Sequence, residues 1–218
     1  YTMPKTSSRS ITSPAGTADT MEVLADVTFP IKKMKEIVLK TNACIVWGGS
    51  LNLAPADDKI IAVERPLEID AESQLLASIM AKKHSVSSTH ILIDIPSGKD
   101  AKVKNRIGAI KLKKEFEKIG RKLRKHIKVL ITDGRQPIGN GIGPALEARD
   151  VLWLLKRDPR RPIDLEKKCL VMCSEIFSML GVKNGYRKAL DILDSGKAYN
   201  KMIEIIKAQK GKETAAED

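Results

Sequence analysis

The sequence predicts an α/β fold: a mainly parallel sheet flanked by helices, with a small helical excursion belonging to a lid or helical lobe. Three short apolar runs rich in β-branched residues predict strands, at 43–47 (ACIVW), 90–95 (HILIDI) and 128–132 (KVLIT). Segments with helical periodicity separate these runs, and this alternation is typical of parallel sheets covered by helices. From Pro144 onward the pattern predicts helices alone, punctuated by proline and glycine.

The length and composition allow one substantial core, or one core plus a small satellite domain. The chain has 218 residues, of which 42% are hydrophobic. We expect residues 1–55 to form the first part of the α/β domain, residues 56–88 to leave it as the helical excursion, and residues 89–218 to complete it with a helical C-terminal part. The excursion starts in the turn-rich stretch 51–59 (LNLAPADDK) and enters a predicted helix at 70–83, with Asp70 as its N-cap.

Cysteine usage and the first residues indicate the compartment. Three cysteines are too few and too odd in number for a disulfide framework, and the first residues show no signal-peptide pattern. We therefore expect a cytoplasmic protein without a membrane partner. Because the chain starts with Tyr1 rather than methionine, we also expect it to be part of a longer polypeptide.

The charge balance favours anionic partners. The 39 lysines and arginines against 27 acidic residues give a net charge of +12, which raises the electrostatic potential around the molecule. Much of the excess lies at 111–128, where Leu112, Phe116, Ile119 and Leu123 repeat on one predicted helical stripe. A solvated basic face is the favoured interpretation, because aromatic residues that could stack on bases make up only 4% of the chain. Nucleic-acid binding is therefore the less favoured alternative.

The stretch SRSITSPAGT, at 8–17, concentrates hydroxyl groups before a predicted helix start. Gly16 and Thr17 precede Asp19 and Glu22 in an N-terminal capping pattern, which predicts that the first backbone N–H groups of the helix point outward. The side chains before them could donate hydrogen bonds to phosphate oxygens. A loop that only caps the helix explains the same pattern, and the residues alone leave both interpretations open.

Two other patterns indicate structure rather than a cofactor or a metal. The segment GNGIG, at 139–143, lacks the glycine spacing of a dinucleotide fingerprint, so we expect a tight turn before a helix. Cys169 and Cys173 lie four positions apart without a nearby histidine, which favours packing over metal binding. We therefore expect neither a cofactor nor a metal.

The order of several motifs identifies a resemblance over nearly the whole chain. They include SRSITSPAGTADTME at 8–22, RPLEIDAESQLLASIMAKK at 65–83 and LITDGRQPIGNGIGPALEARDVLWLL at 130–155. Together they resemble the family that contains thymidine and pyrimidine-nucleoside phosphorylases, and within it the archaeal AMP phosphorylases. The resemblance implies phosphorolysis of AMP by inorganic phosphate to adenine and ribose 1,5-bisphosphate in nucleotide degradation, with CMP and UMP as further substrates left open. It also implies a homodimer or a higher homo-oligomer.

The resemblance implies roles for individual residues. Asp70 matches the proton donor to the leaving base, and for that role its carboxyl must stay protonated well above its usual pKa of about 3.9. In pyrimidine relatives, inorganic phosphate is held at positions matching Ser7 and Thr17, and the base at positions matching Arg65, Ser78 and Lys82. The positions that match AMP contacts are Ser8, Arg9, Ser10, Ile11, Thr12, Ser13, Thr17, Ser78 and Lys102.

Two departures from the family pattern shape the expectations. Pyrimidine-nucleoside relatives have a glycine-rich loop with a histidine where this chain carries extra hydroxyls, and this difference favours a nucleotide over a nucleoside. The family's N-terminal helical domain, its upstream phosphate loop and its C-terminal domain have no counterpart here, so we expect the isolated chain to be inactive. A pyrimidine-nucleoside or thymidine phosphorylase is the first alternative. A basic, non-catalytic nucleic-acid-binding module is the alternative from another class.

Overall fold

A computed structural model describes residues 1–10, 13–51, 59, 60, 63 and 72–211, without the side chains of residues 72–75. Four strands and eight α-helices lie in these residues. In chain order they are β1 (Met3–Ser7), α1 (Thr17–Glu22), α2 (Ile31–Thr41), β2 (Ala43–Trp47), α3 (Glu72–Ser85), β3 (His90–Ser97), α4 (Arg106–Lys122), β4 (His126–Asp133), α5 (Pro144–Lys156), α6 (Ile163–Met179), α7 (Gly185–Asp194) and α8 (Lys197–Ala208). A short 3-10 helix, Gly48–Leu51, follows β2.

The predicted α/β class is confirmed, and all strand pairing within the described residues is parallel. β1 pairs with β2 from Met3 opposite Ala43 to Ser7 opposite Trp47. β3 pairs with β4 from His90 opposite His126 to Ser97 opposite Asp133. The strands thus form two two-stranded sheets. The predicted strand at 43–47 is confirmed at both ends, whereas the other two predicted strands extend further and β1 was not predicted.

The chain divides into two compact units. One consists of Tyr1–Pro55, Gly139–Glu166 and Leu190–Asp218, and the other of Ala56–Ile138 and Lys167–Ala189. The first has two apolar clusters, one around Met21, Leu152 and Ile206 and the other around Phe29 and Val46. The second has a single cluster in which α3 and α4 pack on β3 and β4. The roles expected for residues 1–55, 56–88 and 89–218 stay predictions.

A buried glutamine satisfies the backbone of β2. Gln209, which is 0% exposed, accepts a hydrogen bond on Oε1 from the N–H of Ile45 at 3.0 Å. Its Nε2 donates to the carbonyls of Ile45 at 2.8 Å and Asp26 at 2.7 Å. The side chain therefore makes the bonds that a neighbouring strand would otherwise make, and it joins the end of α8 to β2.

The basic segment at 111–128 is partly helix and partly strand. Leu112 and Phe116 lie on the buried face of α4, as the predicted helical stripe implies. The helix ends at Lys122, however, and Leu123 is 36% exposed. Arg124 has a left-handed backbone, with φ of 54°, and turns the chain into β4. The expectation that Leu123 continues the buried stripe was therefore wrong.

The segment 139–143, predicted as a tight turn, is instead the second half of a ten-residue loop between β4 and α5. Gly139 and Gly143 have φ values of 89° and 102°, a region that favours glycine. The carboxylate of Asp150 on α5 accepts hydrogen bonds from the N–H groups of Asn140 at 2.6 Å and Gly141 at 2.7 Å. Pro144 begins α5, where its missing N–H costs no helical bond. Among the described helices, none has both the length and the apolar character needed to cross a bilayer.

Candidate active site

The hydroxyl-rich loop begins where β1 ends. Ser7 is the last residue of β1 and lies opposite Trp47, the last residue of β2. In α/β proteins, ligands bind beyond the carboxyl ends of parallel strands. The loop therefore leaves the sheet at the edge where such proteins hold their ligands, and it runs from Ser8 to the start of α1 at Thr17.

A close backbone contact brings the two ends of the loop together. A Cβ at Gly16 would lie 2.6 Å from the carbonyl oxygen of Ser8 and 2.7 Å from the nitrogen of Ser10. Such distances leave room for hydrogen only. The N–H of Ala18 also donates to the carbonyl of Ser8, at 3.4 Å. Thr17, between Gly16 and Ala18, therefore lies beside the segment Ser8–Ser10.

Asp19 connects the two ends of the loop by hydrogen bonds. Its Oδ2 accepts from the N–H of Ser10 at 2.7 Å and from the N–H of Gly16 at 3.0 Å. These backbone bonds hold the pKa of Asp19 below its usual value. The bond to Gly16 confirms that Asp19 caps the helix, but the cap pairs Asp19 with Gly16, while Glu22, expected to belong to the capping pattern, is the last residue of α1. The same bond also corrects the expectation that the N–H of Gly16 points outward to an anion, because Asp19 already occupies it.

Arg9 is held by carboxylates and an indole ring. Its Nη2 donates to Oε1 of Glu22 at 2.7 Å, while Nη1 bonds to the other oxygen of Glu22 and, at 3.1 Å, to Oδ1 of Asp19. The guanidinium carbon lies 5.0 Å from the ring centroid of Trp47. The hydrogen bond to Glu22 raises the pKa of Arg9, and the same bond lowers the pKa of Glu22. Asp19 and Glu22 are therefore ionised at neutral pH and cannot donate a proton to a leaving group.

The hydroxyl groups of this loop differ in what they contact. Ser13 donates to the carbonyl of Ala15 at 3.0 Å, and Ser7 makes a long bond of 3.5 Å to the carbonyl of Ser8. Ser8, Ser10 and Thr17 are exposed, and within the described part of the chain their hydroxyls have no hydrogen-bond partner. Ile11 and Thr12 lie outside the described residues.

An open cleft of about 410 Å³ lies beside the loop. Sequence reasoning treated two of its residues, Asp19 and Glu22, as capping residues only and missed the neighbouring Trp47. The one available signal for Trp47 was an aromatic residue at the carboxyl end of a predicted strand. The residues that line the cleft are Ser10, Pro14, Asp19, Glu22, Val23 and Pro144.

The other predicted site residues belong to the second unit or are not described. Ser78 and Lys82 are half-buried one turn apart on α3. Lys102 is exposed in the loop after β3, next to Val103, which forms a bridge with Ser97. Asp70 and Arg65 lie outside the described residues. The roles assigned to these five residues remain predictions.

Comparison with known proteins gives relatives that share one name. No protein-family model matches the chain. Three relatives are each named "putative thymidine phosphorylase". The relative from Nitrobacter hamburgensis is 51% identical over 211 residues, which cover 95% of this chain and 41% of the relative. The relative from Bradyrhizobium diazoefficiens is 52% identical over 210 residues, which cover 95% of this chain and 41% of the relative. The relative from Albidiferax ferrireducens is 50% identical over 212 residues, which cover 96% of this chain and 41% of the relative. The chain therefore spans about 41% of the length of these curated relatives.

Proposed function

We propose that the full-length protein is a phosphorylase that acts on AMP. The shared name of the relatives supports its membership of the thymidine and pyrimidine-nucleoside phosphorylase family. Inorganic phosphate would replace the base at C1′ of the ribose, giving adenine and ribose 1,5-bisphosphate. The proposal includes the cytoplasm as the compartment and a homo-oligomer as the working state. The described cysteines are free thiols, as expected in a reducing compartment.

The exposed hydroxyls of Ser8 and Ser10 are the observation that favours a nucleotide as substrate. The exposed hydroxyl of Thr17 does not discriminate, because the resemblance also assigns Thr17 to inorganic phosphate. A phosphate ester has several acceptor oxygens, and each hydroxyl can donate one hydrogen bond to them. Bonds to a charged acceptor are stronger than bonds between neutral groups. A nucleoside has no such phosphate at its 5′ position, so a loop of this composition supports a nucleotide substrate.

The chemistry requires an acid that the described residues of the loop do not supply. As the phosphate oxygen bonds to C1′, the bond from C1′ to the base breaks and its electron pair remains on the base. Adenine then needs a proton, and a carboxylic acid can provide it only if its pKa is raised by burial or by a nearby negative charge. Asp70 is our proposed donor. Asp19 and Glu22 do not fit this role because their pKa values are lowered.

A second candidate is phosphorolysis of thymidine or another pyrimidine nucleoside. The shared name of the relatives favours it. So does the position of Arg9, because its guanidinium bonds to Glu22 and Asp19 rather than standing open to a 5′-phosphate. For AMP to be the substrate, the hydroxyls must therefore provide most of the phosphate contacts of this loop.

Initial rates of phosphate-dependent base release by the full-length protein test the proposal. The substrates are AMP, adenosine and thymidine at equal concentrations. We expect adenine release from AMP to exceed both nucleoside reactions. Thymine release from thymidine without adenine release from AMP would support the second candidate instead.

The variant Ser10→Ala tests the hydroxyl contact directly. Losing one hydrogen bond to a charged phosphate costs about 1.5–3 kcal/mol, so kcat/KM for AMP should fall at least about tenfold. The rates on nucleosides should stay close to those of the wild type. Ser178→Ala is the matched control, because Ser178 is exposed on α6. Equal losses on AMP and on a nucleoside would contradict a phosphate contact at Ser10.

A further inference from the structure

One carboxylate holds the loop at three points. Besides the N–H groups of Ser10 and Gly16, Asp19 accepts a hydrogen bond from Arg9. These partners lie at both ends of the segment 9–16, so one side chain closes the loop on itself. The capping pattern accounts only for the bond to Gly16, whereas the bonds to Arg9 and Ser10 attach α1 to the segment that follows β1.

The loop shape depends on these bonds for a physical reason. The N–H groups of Ser10 and Gly16 lie where the backbone of Ser8–Ser10 packs tightly on Gly16. Removing their acceptor leaves two donors to find other partners, and an unpaired donor costs free energy. The loop would then open or rearrange, and the hydroxyls at its two ends would separate. Arg9 adds rigidity, because Glu22 and Trp47 fix its guanidinium.

We propose that Asp19 is a positioning residue that holds the loop in the shape presenting the hydroxyls of Ser8, Ser10 and Thr17 together to the phosphate group of the substrate. Asp19 itself donates nothing to the phosphate and takes no part in the bond changes. This inference rests on the proposed function, because it assumes that the loop binds a phosphate ester.

Binding and kinetics of the full-length protein give the first test. Asp19→Ala removes the carboxylate, so the N–H groups of Ser10 and Gly16 and the guanidinium of Arg9 all lose this acceptor. We expect the KM for AMP and the Kd from calorimetry to rise about tenfold, with kcat nearly unchanged, since uniform binding is lost. Asp26→Ala is the matched control, because Asp26 is an exposed aspartate of the same unit. Asp19→Glu keeps the charge and should recover most of the affinity.

Amide hydrogen exchange without substrate gives the second test. Peptides containing Ser10 and Gly16 should exchange faster in Asp19→Ala than in the wild type and in Asp26→Ala. Unchanged exchange would overturn the claim that Asp19 holds the loop. Faster exchange with unchanged AMP affinity would overturn its role in binding. If Asp19→Ala does not fold, Asp19→Asn replaces it: its amide oxygen can keep the two N–H bonds, so exchange and AMP affinity should stay close to the wild type. Wild-type exchange with an affinity as low as that of a Ser10→Ala, Thr17→Val double variant would then overturn the proposal.

The two proposals fail in different ways. A wild-type protein that neither binds nor cleaves AMP overturns the proposed function and, with it, the phosphate-positioning role of Asp19. Faster exchange in Asp19→Ala would still show in that case that Asp19 holds the loop. A wild-type protein that cleaves AMP with an affinity unaffected by Asp19→Ala overturns the positioning role alone.

Discussion

Gly16 shows how one absent side chain fixes a loop. Its φ of −96° is accessible to any residue, so glycine is not needed there for a left-handed backbone. It is needed because a Cβ would meet the backbone of Ser8, Arg9 and Ser10 within 2.7 Å. Backbone atoms cannot swing aside as the end of a flexible side chain can, so any larger residue must move the loop.

We expect Gly16→Ala to lower the free energy of unfolding by about 1–3 kcal/mol, the usual cost of overpacking. Gly108→Ala on α4 is the control. A Cβ there would lie 3.6 Å or more from its neighbours, and alanine is favoured over glycine inside a helix by about 0.5–1 kcal/mol. Urea unfolding of both variants measures the difference. Equal stability of Gly16→Ala and the wild type would contradict the close contact.

Single residues also mark the limit of what the sequence could predict about the site. The hydroxyls at 8–17 and the cap formed by Asp19 follow from local patterns and were predicted. The pairing of Arg9 with Glu22 spans thirteen positions, and the contact of Arg9 with Trp47 joins the loop after β1 to the last residue of β2. Neither contact leaves a signal in local spacing, because each depends on how the chain folds back.

Among the elements, strands with continuous apolar runs were the most predictable. β2, β3 and β4 are rich in β-branched residues and were found from composition. β1, with the sequence MPKTS, was missed because it has only one large apolar residue and is half exposed. Its strand conformation comes from its pairing with β2, a tertiary effect that outweighs local preference. The end of α4 was also missed, because the basic pattern continues past Lys122 into β4.

The join between α8 and β2 depends on Gln209. Replacing it by leucine leaves the N–H and carbonyl of Ile45 and the carbonyl of Asp26 without the partners described above. Each buried unpaired group costs about 1–3 kcal/mol. We therefore expect Gln209→Leu to lower the free energy of unfolding by about 3 kcal/mol or more. Gln136→Leu is the control, because Gln136 is exposed. A similar small effect of both variants in urea unfolding would contradict the role of Gln209.

At the scale of the molecule, ion pairs link stability to pH. Backbone N–H groups lower the pKa of Asp19, and Arg9 lowers that of Glu22. Hydrogen bonds from Arg135 and Arg160 lower the pKa values of Asp133 and Asp158 to about 2. A carboxyl whose pKa is lowered on folding stabilises the folded state above its unfolded pKa, and this contribution is lost as the pH falls through its folded pKa.

The unfolding free energy should therefore stay level from neutral pH down to the unfolded carboxyl values of 4.5 for glutamate and 3.8 for aspartate. It should then decrease toward about pH 2, where Asp133 and Asp158 titrate. The decrease should be modest, because exposed ion pairs contribute little. Urea unfolding at a series of pH values measures it. Asp158→Asn should reduce the slope, and a stability that rises on acidification would contradict the assignment.

At the scale of the whole chain, the fold class was predictable from the sequence, whereas the pairing of the strands was not. Periodicity predicted the α/β class, which the structure confirms. It could not predict that the strands form two sheets within two units, because strand partners are chosen by distant residues. The three relatives come from bacteria and share the name putative thymidine phosphorylase, so the archaeal affiliation and the AMP specificity stay predictions.

The amide of Gln209 also bears on how the protein behaves when many copies are present. An uncovered strand offers a template on which other chains can align and form cross-β aggregates. At Ile45 that template is already occupied from within the same molecule. Losing the Gln209 side chain would therefore favour precipitation during expression even before the remaining core came apart.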